Sequence, residues 1–148
     1  MRRVEQSAIW VGGLLCHYVT DLSQPLHTSV HIFGWSTTVP NPGDFRPQNI
    51  HGAFEGFADR CVRDRRITKS QVAKQIGEPR QVDDWLAHVA SAIQESNQHV
   101  ERVFELEQQG LFKSCAEDSD AVTFTVARMA VGAALLRDLW FAAWNRSR

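Results

Sequence analysis

The chain has 148 residues, of which 43% are hydrophobic and 22% charged, and its formal net charge at pH 7 is −1. This length supports one domain with a hydrophobic core, and the composition is that of an ordinary globular protein. The charge does not indicate a basic surface that follows long nucleic acid, although a bound metal could still supply the positive charge that a phosphate needs.

The spacing of apolar residues predicts an all-helical fold, beginning with a helix over residues 4–21. Apolar residues cover more than one side of this helix: Val4, Ala8, Trp10, Val11, Leu14, Leu15 and Tyr18. A helix of this kind is typical of the centre of a domain. We therefore expect Cys16 to lie in the core, and we expect Gly12 and Gly13 to allow another helix to approach closely.

Residues 23–48 contain four prolines and two glycines and show no helical period, so they predict a long loop. Further helices are predicted over residues 48–66, 68–76, 82–109 and 121–146. We expect Gly110 to end the helix over 82–109, and Asp118 or Ser119 to cap the last helix.

Two features of the sequence indicate whether the chain crosses a membrane and what its cysteines can do. The most apolar segment, 122–144, includes Arg128, Arg137 and Asp138, so it predicts a buried or amphipathic helix and no transmembrane segment. The three cysteines are widely spaced and form no CxxC pair, so a cysteine-based zinc site or redox motif is unsupported, whereas one disulfide is possible.

Five candidate metal ligands lie within the 39 residues from position 17 to position 55. His17 and Asp21 are four residues apart on a predicted helix, and so are His51 and Glu55, so each pair shares one helical face. His27 lies at the beginning of the intervening loop. Imidazole nitrogens and carboxylate oxygens are ligands that suit zinc. The sequence therefore predicts a zinc site formed by all five residues.

Each pair taken alone has a simpler interpretation. A His-xxx-Asp or His-xxx-Glu pair on a helix is more often a surface pair than a metal site. The surroundings of His17 and Asp21 are apolar, however, and a buried charge needs a partner. A metal could be that partner, and an arginine from another element is the main alternative.

Two stretches resemble a known family of metalloenzymes. Residues 17–28, HYVTDLSQPLHT, resemble the signature of bacterial zinc-dependent phospholipases C, and the same HxxxD…QPLH core occurs in the related secreted single-strand nucleases. Residues 49–55, NIHGAFE, resemble the second metal-binding helix of these enzymes. The resemblance implies an all-α, multi-helical phospholipase C/nuclease-like bundle that hydrolyses phosphodiesters in phospholipids or nucleic acids.

The resemblance also implies roles for the five ligands. His27, His51 and Glu55 would hold one zinc, while His17 and Asp21 would belong to a closely spaced zinc pair bridged by Asp21. Such a pair makes hydroxide from water at neutral pH and stabilises the charge that develops on phosphate oxygens.

The family uses further ligands that this sequence lacks upstream of His17, namely an N-terminal tryptophan and additional His and Asp residues. The sixteen residues before His17 contain no His or Asp, and Trp10 is not a terminal residue. We therefore expect residues 1–148 to form one helical zinc-binding domain, truncated at the N-terminus relative to a longer catalytic domain, with weak or no hydrolysis on its own. The missing N-terminal segment could carry a signal peptide, which would make the parent protein secreted or periplasmic.

Two alternatives remain open at the level of sequence. One is a non-catalytic helical domain with a single structural zinc, and the other is a metal-free helical bundle. Outside the motif, we expect His88 and His99 to be solvated, because they lie off the apolar stripe of their helix. Phe33, Trp35 and Phe45 could stack on a base or contact an acyl chain, but we expect them to pack within the loop.

Overall fold

A computed structural model of the chain describes residues 2–46 and 49–147. This part of the chain is all-α and contains no strand, which confirms the predicted class. The α-helices are α1 (Arg2–Asp21), α2 (Ile50–Arg63), α3 (Lys69–Ile76), α4 (Trp85–Asn97), α5 (Val100–Gln108) and α6 (Asp120–Arg146). Two 3₁₀ turns, Pro25–Thr28 and Leu111–Lys113, connect them. The predicted beginning of α2 near Gln48 lies outside the described residues.

Helix α6 is the central helix of the fold, and it packs against both α1 and α3. The Ser119 hydroxyl caps it by accepting a hydrogen bond from the Val122 amide at 3.3 Å, so Ser119, and not Asp118, is the cap. Its buried charged residues, Arg128 and Asp138, agree with the prediction of a buried or amphipathic helix. Within the two described ranges, no helix is long and apolar enough to cross a bilayer.

The hydrophobic core lies where α2 and α5 meet the first part of α6 and the loop after α1. Phe57, Phe104, Leu26 and Ile50 are its largest fully buried side chains. A disulfide between Cys61 and Cys115 joins the end of α2 to the segment that precedes α6. One disulfide was possible from the number and spacing of the cysteines in the sequence.

The loop between α1 and α2 packs onto this core through its aromatic residues, as expected for two of the three. Trp35 and Phe45 contact Phe104, with ring centroids 5.3 and 5.1 Å from that of Phe104. Phe33 is 70% exposed, so the prediction is wrong for that residue.

The prediction that the first helix is central is wrong. Val19 is buried, but Ile9 is 76% exposed, and Trp10 and Tyr18 are each 67% exposed. Cys16 is a free, half-buried cysteine and not a core residue. The apolar pattern correctly predicts the helix, but α6 covers only one side of α1, and in the described residues the other apolar side faces solvent.

The close approach expected at Gly12 and Gly13 occurs elsewhere. A Cβ atom added to Gly12 would meet Trp140 only at 3.9 Å, and one added to Gly13 would meet nothing within 4 Å. On α6, by contrast, a Cβ on Gly132 would lie 2.7 Å from the Ser23 hydroxyl. The tight contact is therefore between α6 and the segment that follows α1.

The predicted helix over 82–109 is two helices, α4 and α5, separated by a turn at Gln98 and His99. The His99 amide donates to the Ser96 carbonyl at 3.0 Å, which is a tighter turn than an α-helix allows. The Asn97 side chain donates to the Thr28 carbonyl at 2.8 Å. The break therefore ties α4 to the 3₁₀ turn of residues 25–28.

The expectation that both histidines of this region are solvated is also wrong. The His88 side chain is 24% exposed, and its Nε2 atom is buried. His99 is half-buried and its Nε2 lies 3.0 Å from a Glu95 carboxylate oxygen. Both rings therefore contact α6 or its partners, although 39% of the His99 side chain stays exposed.

Candidate metal centre

His27 is positioned by the 3₁₀ turn Pro25–Thr28, whose leading residues are anchored in the core. Leu26 is fully buried, and its amide donates to the Gln24 side-chain oxygen at 2.7 Å. This cap replaces a helical hydrogen bond that the short turn cannot form. The imidazole of His27 is thereby directed toward α2.

His51 and Glu55 lie on one face of α2, as their i, i+4 spacing predicts. Asn49 caps this helix through its side-chain oxygen. The neighbouring residues Ile50 and Phe54 are 0% and 3% exposed, which fixes the helix against the core. His51 and Glu55 consequently lie at the edge of the core, facing the turn that carries His27.

Three ligand atoms converge at this edge. The two Nε2 atoms of His27 and His51 are 2.8 Å apart, and the Glu55 Oε1 atom lies 3.2 Å from the first and 3.0 Å from the second. In the described part of the chain, this is the group of three His, Cys, Asp or Glu residues that could hold a metal ion. The side chains of His27 and His51 are 21% and 24% exposed, and that of Glu55 is 47% exposed.

The geometry of this triad fits a zinc ion. Ligand atoms about 2.1 Å from a tetrahedral zinc are about 3.4 Å apart, so the three pairs of atoms need to separate by about 0.2 to 0.6 Å. Each of the three atoms can also act as an acceptor, and acceptors brought this close repel one another unless a proton or a cation lies between them. A zinc ion bound by two imidazoles and one carboxylate satisfies all three.

His17 and Asp21 form a separate pair next to the triad. The Asp21 Oδ2 atom lies 3.6 Å from His17 Nε2 and 3.8 Å from His27 Nδ1, so it faces the side of the His27 ring that points away from the triad. The His17 side chain is 70% exposed and that of Asp21 is 39% exposed. The expected buried pair is therefore an open one, and no third ligand joins it within residues 2–46 and 49–147.

Arg128 and Glu95 hold the segment between Asp21 and His27 in place, and neither was predicted as part of the site. Arg128 is 5% exposed and donates through Nε to the Ser23 carbonyl at 3.0 Å. Its other two nitrogens donate to the Glu95 carboxylate at 2.7 and 2.6 Å. These hydrogen bonds lower the pKa of Glu95 below its ordinary value. The signal in the sequence was an arginine inside the apolar segment 122–144.

His31 belongs to the loop and not to the group of three metal ligands. Its Nδ1 atom accepts a hydrogen bond from the Ser36 amide at 2.9 Å, and its ring stacks on Trp35 with centroids 4.0 Å apart. Burial lowers the pKa of His31, and the nearby Glu101 carboxylate partly opposes that shift. The ring is thus a neutral packing element of the loop.

A cavity of about 340 Å³ adjoins the triad on the side of Glu55. Its polar boundary includes Gln24 and Arg128, and the remainder is mainly apolar, including Phe54 and Met129. The Gln24 amide donates to Glu55 Oε1 at 3.5 Å, so it lies between the cavity and the metal ligands. An apolar group could therefore be held directly beside the triad.

Comparisons of the chain with known protein families, with characterised proteins and with solved structures give no match. The described part is all-α, and His27, His51 and Glu55 could hold a metal ion.

Proposed function

We propose that this protein is a zinc-dependent hydrolase of phosphate esters, phospholipase C-like or nuclease-like, with zinc bound by His27, His51 and Glu55. The observation that carries the proposal is the number of ligands in the group. Structural zinc sites usually have four protein ligands, whereas catalytic sites have three and an open fourth position. The order of the HxxxD, QPLH and HxxxE motifs supports the same conclusion.

The bound zinc would lower the pKa of water and polarise a phosphate oxygen. The chain's own residues would orient the ligands. Asp21 Oδ2 faces His27 Nδ1 at 3.8 Å, and a carboxylate on that side of a ligating imidazole fixes its ring orientation. Arg128 would hold the Asp21–His27 segment through the Ser23 carbonyl. His17 and Asp21 would contribute to an adjoining zinc pair whose further ligands the described residues do not bring to them.

The substrate is proposed to contain an apolar part next to its phosphate. The cavity beside Glu55 is lined mainly by apolar groups, which suits an acyl or alkyl chain better than a nucleobase or a sugar. This favours a phospholipid over a nucleic acid as the phosphate ester.

Metal analysis tests the site. The protein is stripped with chelator, reloaded with zinc and dialysed, and its zinc content is measured by mass spectrometry. We expect about one zinc per chain, because the described residues bring together one group of three ligands. His51→Ala should lose this zinc and His17→Ala should keep it. If the protein retains no zinc, or if both variants retain it, the proposed ligand set is wrong.

Cobalt substitution separates a hydrolase from a structural site. Cobalt(II) in an open site changes its visible absorption when inorganic phosphate occupies the free position, whereas a closed site does not respond. We expect a phosphate-dependent change that His51→Ala abolishes together with metal binding. Turnover of bis(p-nitrophenyl) phosphate by the zinc-loaded chain is expected to be weak or absent, because the zinc pair is incomplete.

The second candidate function is a non-catalytic helical domain with one structural zinc. It is favoured by the isolation of His17 and Asp21, which form no group of three in the described ranges. In that case, phosphate leaves the cobalt spectrum unchanged although the metal binds.

The Cys61–Cys115 disulfide supports export to an oxidising compartment under either function, which would make the protein secreted or periplasmic.

A further inference from the structure

A second cavity, of about 400 Å³, lies between α4 and α6 beneath the segment that follows α3. Its apolar lining includes Ile76, Ala92 and Leu135. Its polar lining includes Arg80, His88 and Asp138. The volume is within the range of small-molecule sites. The Arg128–Glu95 ion pair separates this cavity from the one beside the metal triad, because Glu95 lines the first and Arg128 the second.

Asp138 is a fixed, charge-compensated carboxylate at the base of this cavity. It is 2% exposed, and its Oδ1 atom accepts hydrogen bonds from the Arg80 amide at 3.1 Å and from Arg137 Nε and Nη2 at 2.9 and 2.7 Å. Arg137 also donates to the carbonyls of Gly77 and Glu78 at 2.6 and 2.9 Å. Oδ1 is therefore saturated, while Oδ2 faces His88.

His88 presents a buried nitrogen that is not satisfied by the protein. Its Nε2 atom has no hydrogen-bond partner among the described residues and lies 3.8 Å from Asp138 Oδ2, too far for a direct hydrogen bond. A buried polar atom of this kind destabilises the fold unless something pairs with it. A single hydroxyl about 2.8 Å from both atoms could accept from the imidazole N–H and donate to the carboxylate.

The uncompensated charge around the cavity is positive. Glu95 is paired with Arg128, and Asp138 is paired with Arg137. Arg80 is an exposed residue of the cavity lining, and its side chain has no ion pair within residues 2–46 and 49–147. A ligand that carries an anionic group in addition to a hydroxyl would match both features of the lining.

We propose that this cavity binds a small hydroxy acid. The hydroxyl lies between His88 Nε2 and Asp138 Oδ2, and the carboxylate points toward Arg80. The apolar lining contacts the short carbon chain of the ligand. This site is independent of the metal triad and of the proposed hydrolysis.

Three matched three-carbon probes test the chemistry by calorimetric titration of the full chain. These are lactate, propionate, which lacks the hydroxyl, and propane-1,2-diol, which lacks the carboxylate. We expect lactate to bind at least about tenfold more tightly than either of the others. His51→Ala removes the proposed zinc site. Lactate should still bind to this variant, because the proposed lactate site does not include the zinc. Absence of saturable lactate binding, equal affinities for the three probes, or binding that disappears in His51→Ala each overturn the proposal.

Two variants separate the two recognition elements. Arg80→Gln keeps the backbone amide that donates to Asp138, so it should weaken lactate and propionate by similar factors, about fivefold to tenfold. His88→Phe should remove the preference for lactate while leaving propionate affinity within about twofold. His88→Phe should melt no lower than the wild type, because it removes an unsatisfied buried nitrogen. Retention of the lactate preference by folded His88→Phe contradicts the proposed hydroxyl contact.

Discussion

The two halves of the predicted zinc site differ in what holds them. The triad of His27, His51 and Glu55 is attached to core residues: Leu26 and Ile50 are fully buried, and Phe54 is 3% exposed. His17 and Asp21 lie on α1, where the next residue after His17, Tyr18, is 67% exposed. An i, i+4 spacing places two side chains on one face, but a third ligand must be supplied by another element that the core fixes against that face.

Helices α1 and α6 provide the same contrast at the level of packing. Both sequences are rich in apolar residues, yet α6 buries residues along most of its length, whereas Val19 is the buried hydrophobic residue of α1. An apolar pattern shows that a helical face can be covered, and it does not identify what covers it.

The largest difference is expected between a core residue next to the triad and an exposed aromatic residue of α1. Phe57 is 0% exposed, and Phe57→Ala should lower the free energy of unfolding by about 3–5 kcal/mol through lost burial and the resulting cavity. Trp10 is 67% exposed, and Trp10→Ala should cost less than about 1 kcal/mol. Urea denaturation measures both. Similar costs would show that α1 is as tightly packed as α2.

The next largest effect on the free energy of unfolding should come from the disulfide, which begins on α2, the helix that carries two ligands of the triad. Cys61 and Cys115 are 54 residues apart, and constraining a loop of this length stabilises a fold by about 2–4 kcal/mol. Cys61→Ala/Cys115→Ala should lower the urea midpoint accordingly. The matched control is Cys16→Ser on α1, which breaks no disulfide and should cost less than about 1 kcal/mol. A larger loss from Cys16→Ser would reverse the comparison.

Zinc should stabilise the protein through the triad and not through α1. At a free zinc concentration about 100 times the dissociation constant, binding adds about 2.7 kcal/mol to the free energy of unfolding. Chelator should therefore lower the melting temperature of the wild type and of His17→Ala, but leave that of His51→Ala unchanged. A melt of the wild type that does not respond to chelator would favour a metal-free bundle.

Sequence reasoning predicted the all-α class, most helix positions and the three ligands that converge, because periodicity and i, i+4 spacing are local properties. It wrongly placed α1 in the core, because burial depends on distant parts of the chain. It also wrongly joined α4 to α5, because the turn between them is stabilised by the hydrogen bond from Asn97 to the distant residue Thr28. Arg128 was noticed only as a charge in an apolar helix. Its bond to Ser23 spans 105 residues, and no local pattern encodes a contact of that range.

The smallest effect concerns the Arg128–Glu95 pair that fixes the segment between the two halves of the site. Glu95→Gln should cost about 1–2 kcal/mol at pH 7. The value is modest because the Glu95 side chain is 44% exposed and because the glutamine oxygen can still accept one hydrogen bond from Arg128, which also keeps its bond to Ser23. Arg128, and to a lesser extent His99, lowers the folded-state pKa of Glu95 below its ordinary value of 4.5. The carboxylate therefore contributes stability that is fully present above pH 4.5 and is lost as the pH falls through the lower, folded-state pKa.

The difference in unfolding free energy between the wild type and Glu95→Gln should accordingly be constant from neutral pH down to about pH 5.5 and should shrink below about pH 4.5. Glu107→Gln is the control, because the Glu107 carboxylate has no ion pair in the described part of the chain, so its difference should stay near zero throughout. Urea titrations at a series of pH values measure both curves. If the Glu95 difference stays constant down to pH values well below 4.5, ionised Glu95 does not hold Arg128, and the connection between the Ser23 segment and α4 must depend on the Asn97–Thr28 hydrogen bond instead.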